Sequence, residues 1–122
     1  MDVEDVVSIT AEEILKYARE EFEKAIKVDD ILLYRDAAGK ALLSMVLAVN
    51  SYIHRKLNVT PRSHNERREL LRKMKREDLR AIYSDVMETL HDEEFYDGVY
   101  KPEEAEYAIR QVEKILKDLR ES

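Results

Sequence analysis

The sequence predicts an all-α fold, an antiparallel up-and-down bundle of four to five helices around one long central helix at about residues 30–57. Three observations predict it. The run Ala41-Leu42-Leu43-Ser44-Met45-Val46-Leu47-Ala48-Val49 is apolar nearly all the way round a helix, as a buried central helix is. The other segments space their apolar residues by three and four, the period of amphipathic helices. Only 2 Gly and 2 Pro occur in 122 residues, which predicts few and short connections within one domain.

The first helix is expected from about Ala11 to Lys27. Thr10 and Glu13 have the spacing of a capping box, and Ala11, Leu15, Ala18, Phe22 and Ala25 form one core face. Residues 1–8 are expected to fray, with Val3, Val6 and Val7 able to dock. Val28-Asp29-Asp30 leads into the central helix, which at roughly 1.5 Å per residue is about 42 Å long. On its wheel Ala37, Ala41, Ser44 and Ala48 form a small-residue line that suits close approach of another backbone. Ile31, Leu42, Val46, Val49 and Ile53 form a large line that fills a core. Asp36 and Lys40 have the spacing of an i,i+4 ion pair.

Pro61 disfavours helical geometry in the residue before it, so Asn58–Arg62 is read as a break. Ser63-His64-Asn65-Glu66 is a second capping box and opens a short, Arg-rich third helix to about Lys75, anchored by Leu70, Leu71 and Met74. A fourth helix is expected from about Asp78 to Glu93, with Leu79, Ile82, Tyr83, Val86 and Leu90 inward. Phe95-Tyr96-Asp97-Gly98 reads as a turn. The last helix opens at Lys101-Pro102 with Glu103 and Glu104 in its first turn, and Ala105, Ile109, Val112, Leu116 and Leu119 are its seam.

Composition excludes several chemistries. The chain has no Cys, so disulfides, thiolate zinc sites and cysteine nucleophiles are out. The acidic N-terminus has no apolar signal core, and no apolar run reaches the ~20 residues of a membrane span; a cytoplasmic protein without membrane contact is expected. With only Gly39 and Gly98 there is no glycine-rich phosphate cradle, and no Gly-x-Ser-x-Gly or His-Glu-x-x-His occurs. Glu88-x-x-His91 matches half of a di-iron ligand pattern, but no second such pair exists. His54, His64 and His91 are too scattered for a local zinc signature. No cofactor, metal ligand or catalytic residue is assigned.

Charge is distributed unevenly. The net −6 divides into −5 over residues 1–54, +6 over 55–80 and −7 over 81–122. Within the basic middle, Arg55, Arg62, His64, Arg67, Arg68, Arg72, Lys75 and Arg76 are the candidate binding residues, because clustered cations attract phosphates. No aromatic residues interleave the arginines, as stacking on single-stranded bases requires.

The order of elements carries a resemblance. Arg35-Asp36-Ala37-Ala38-Gly39-Lys40-Ala41-Leu42 is followed by Pro61 and Ser63-His64, then Leu90-His91, Phe95-Tyr96-Asp97-Gly98 and Lys101-Pro102-Glu103-Glu104-Ala105. Over about residues 10–120 this resembles the HEPN superfamily of small helical domains, most closely the archaeal PaREP-type branch. The resemblance implies a helical bundle that is usually a homodimer. It implies either a ribonuclease, often a toxin paired with a small nucleotidyltransferase antitoxin, or a non-catalytic binding module. Active members carry an Arg, four to six residues, then a His, and none of the three histidines here has an Arg at that spacing.

The expected function is therefore a non-catalytic, dimeric helical module that binds RNA, a nucleotide or a partner protein through the basic surface at 55–80. A nucleotidyltransferase-type partner is one candidate. The alternatives are a divergent metal-independent ribonuclease using His64 or His91, and a structural protein that dimerises along the small-residue line of the central helix.

Overall fold

The computed structural model describes residues 3–94 and 101–122, and every element among them is a helix. The helices are α1 (Val3–Val28), α2 (Ile31–Leu57), α3 (His64–Lys73), α4 (Glu77–Glu94) and α5 (Pro102–Glu121). Helix α2 is the hub and packs against each of the other four. None of these helices is long and apolar enough to cross a membrane.

Cross-helix contacts fix the directions. Ala11 meets Ser44 and Phe22 meets Tyr34, so α1 and α2 are antiparallel. Tyr34 meets Glu93 and Tyr52 meets Arg76, so α4 runs against α2. Arg19 reaches Glu106 and Glu113 while Arg120 reaches Glu12, so α5 runs against α1. Four helices alternate in direction, and α3 lies across the end of the bundle where α2 finishes.

With so little glycine, other residues take the left-handed positions at helix ends. Asp29, Asn58 and Lys75 have φ of 55°, 57° and 61°. Asp30 caps α2 through its Oδ1, which accepts from the Leu33 N–H at 3.1 Å. Asn58 closes the same helix by donating its N–H to His54 O at 2.8 Å, so the helix ends four residues before Pro61. Ser63 caps α3 as expected, its Oγ accepting from Glu66 N–H at 3.1 Å. The Glu66 carboxylate returns to the N–H of Arg62, one residue earlier than in the usual box. Pro102 opens α5.

The expected core faces of α1 and α5 are buried throughout. Several finer expectations are corrected. Helix α1 starts at Val3, so Thr10 is internal rather than a cap, and the backbone of residues 3–8 is helical rather than frayed. Ile31 is 42% exposed because it sits at the first turn, beyond the reach of α4 and α5. Ile82 is 39% exposed, since a helix that buries Leu79, Tyr83, Val86 and Leu90 turns position 82 outward. Lys40 pairs with Glu21 of α1 rather than with Asp36. The Phe95–Gly98 turn, like docking by Val3, Val6 and Val7, lies outside the described residues.

The small-residue line has a different role from the one expected. Ala37, Ala41, Ser44 and Ala48 are all buried, and Ser44 Oγ donates to the Ala11 carbonyl at 2.6 Å. The close approach that these small side chains permit is to α1 of the same chain. They are not available as a surface for a second copy.

Candidate functional site

The basic segment does not form one surface. Arg76 is tied down at the α3–α4 junction. It donates to Tyr52 Oη at 3.0 Å, to Asp78 at 3.2 Å and to Asp118 at 2.8 Å, and its guanidinium lies 5.5 Å from the Tyr52 ring centre. The Asp78 bond, above all, holds its pKa well above the usual range. Arg55 lies on the same ring and donates to the carbonyls of Leu119 and Ser122 at the end of α5. Arg72 makes a loose 3.8 Å pair with Glu77. Arg62 and Lys75 are exposed. Charge in this segment therefore divides between helix anchoring and solvent.

Three of the eight candidates, His64, Arg67 and Arg68, do come together, on one flank of α3. They follow each other at i, i+3 and i+4, which puts them on neighbouring faces of the helix. Arg67 is the inward member and only 7% exposed. Its Nε donates to Asn50 Oδ1 on α2 at 2.7 Å, and Nη1 lies 3.4 Å from Tyr83 Oη on α4 and 3.2 Å from His64 Nδ1. A buried guanidinium is tolerated because these partners take up its donors. One side chain thus joins α2, α3 and α4.

Its second effect is on His64. The Tyr83 hydroxyl is 2.6 Å from Nδ1, the nitrogen that Arg67 also faces. A guanidinium can only donate, so Nδ1 must present its lone pair, and the Tyr83 hydroxyl donates to the same lone pair. Neutral imidazole then carries its proton on Nε2. Burial, followed by the positive charges of Arg67 and Arg68 and by His91, pushes the His64 pKa below its usual 6.5. Burial likewise raises the Tyr83 phenol, which keeps its proton for donation. At neutral pH His64 is an uncharged ring that offers one N–H outward.

That outward side faces a cleft of about 500 Å³ between α3 and α4. His64 and Arg68 line it from α3, and Ser84, Met87, Glu88, His91 and Asp92 line it from α4. Arg68 donates to Asn65 Oδ1 within its own helix. Ser84 Oγ is buried and has no hydrogen-bond partner among the described residues. Among those residues no three acidic or imidazole side chains converge in a way that would hold a metal. The Glu88/His91 pair therefore contributes to a cleft wall.

Sequence reasoning missed Asn50, Tyr83, Ser84 and Met87. A signal existed for two of them: Ser84, Met87, Glu88 and His91 recur at i, i+3, i+4 and i+7, one continuous helix face. Asn50 and Tyr83 had none, because each is defined by what Arg67 reaches from another helix. No family model, curated protein or solved structure matches the chain.

Proposed function

We propose that this protein is a non-catalytic, RNA- or nucleotide-binding helical module whose phosphate site is the α3–α4 cleft. The Nε2–H of His64 and the guanidinium of Arg68 are the donors for phosphate oxygens. The observation that carries this reading is the placing of Tyr83 Oη at 2.6 Å and Arg67 Nη1 at 3.2 Å from His64 Nδ1. It leaves the outward nitrogen as a hydrogen-bond donor and not as a proton acceptor, which suits anion binding and not general-base chemistry. The proposal narrows the binding surface from residues 55–80 to a few side chains. Filter binding of short RNAs at two salt concentrations tests it. Binding that weakens with salt, and that His64→Ala and Arg68→Ala each reduce, supports it. Binding unaffected by either substitution overturns it.

The cleft also carries a second reading, a metal-independent ribonuclease, because His64 and His91 line it from opposite helices. Incubation of end-labelled RNA with wild type and with His64→Ala decides between the two. Cleavage that disappears in the variant favours the nuclease, while no cleavage, or equal cleavage, leaves the binding module. The resemblance adds a homodimer and a nucleotidyltransferase-type partner to the proposal. Light scattering on the purified protein, alone and mixed with that partner, tests both.

A further inference from the structure

The cleft is larger than a phosphate requires, and its two walls are chemically unlike. A volume of about 500 Å³ is in the range of small-molecule pockets. The α3 wall offers donors. On the α4 wall His91 stands with the carboxylates of Glu88 and Asp92, which only accept hydrogen bonds and repel phosphate oxygens, and with the Met87 thioether, which packs well on flat rings. A bare phosphate satisfies one wall and is opposed by the other.

We infer that the cleft takes a nucleotide unit whose base carries an amino group at the purine 6 or pyrimidine 4 position, adenine or cytosine, an inference that rests on the phosphate-binding reading above. The phosphate lies against His64 and Arg68, the ring lies on Met87, and the amino group donates to Glu88 or Asp92. Carboxylates accept from base amino groups in this way elsewhere. Uracil presents a carbonyl oxygen where cytosine has its amine, so it turns an attraction into a repulsion.

The test is binding of AMP, CMP and UMP, and of hexa-adenylate, hexacytidylate and hexauridylate, to wild type, Glu88→Gln and Arg68→Ala. Glu88 is exposed, so its substitution leaves the bundle intact, and circular dichroism confirms folding of each variant. The expected result is adenine and cytosine ligands about tenfold tighter than uracil ligands. Glu88→Gln should erode that preference while the uracil ligand still binds. The same preference in mononucleotides identifies a free nucleotide as a sufficient ligand, and preference in the hexamers alone identifies the strand. Equal affinity for all three bases, still weakened by Arg68→Ala, overturns the base inference and leaves the phosphate site standing. Absence of binding by every ligand overturns both.

Discussion

The hydroxyl of Tyr83 stands 2.6 Å from Nδ1 of His64, so a residue buried in α4 holds in place the ring of a residue at the first turn of α3, whose tautomer Arg67 sets. Helix packing and cleft chemistry share this contact. Tyr83 can be wholly buried because its hydroxyl has His64 and Arg67 as partners, and His64 is held in one orientation because Tyr83 is packed.

Tyr83→Phe keeps the ring and removes the hydroxyl. The variant is expected to lose about 1–2 kcal/mol, since His64 and Arg67 each lose a partner in a partly buried site. Urea denaturation measures the loss. Nitrogen NMR shifts of the His64 ring report the tautomer, which Arg67 alone should still hold as Nε2–H.

Asn50 and Arg67 should behave as one unit. Removing the amide by Asn50→Ala strands a buried guanidinium N–H and is expected to destabilise by about 1–3 kcal/mol. In the Arg67→Met background the same change should matter much less. A double-mutant cycle with a coupling near zero would show that the 2.7 Å bond contributes nothing.

His64 and Glu93 give opposite pH signatures. His64 has a folded pKa below its ordinary 6.5, so its contribution is complete above pH 6.5 and is lost as pH falls through the folded value. Glu93 is 4% exposed, and burial raises its pKa above the usual 4.5 despite the bond from Tyr34. Its stabilising contribution is present below pH 4.5 and lost as pH rises through the folded value. Glu93→Gln should therefore be more favourable relative to wild type at pH 7 than at pH 4. His64→Gln should flatten the wild-type fall in urea midpoint between pH 7 and pH 5. A pH-independent difference for either variant would contradict the corresponding assignment.

Lys75 holds a left-handed backbone conformation with φ 61° at the end of α3, and its side chain is exposed. Lys75→Gly removes the Cβ strain and is expected to stabilise by about 1 kcal/mol, read as a higher urea midpoint. Because Lys75 lies outside the cleft lining, RNA affinity should change little.

Ala41 has no exposed surface and lies where α1 crosses α2. Ala41→Glu forces a carboxylate into that seam and is expected to abolish folding, at a cost of several kcal/mol. A folded monomer by circular dichroism and sizing would show that the seam tolerates the charge.

Apolar spacing of three and four, together with few Gly and Pro, determined from the sequence alone that this chain is an all-α bundle of four to five helices around residues 30–57. It also located the Ser63 cap, the Pro102 start and the inward faces of α1 and α5, because those features depend on neighbours within a turn or two. Only the tertiary structure decided which cations stand together. Arg67, Arg72 and Arg76 are alike in the sequence, yet one is buried on Asn50 and Tyr83, one faces solvent and one is locked to Asp118. The choice depends on which helix lies opposite, and that is set by the packing of residues 16 to 42 positions apart, a range that no local periodicity encodes.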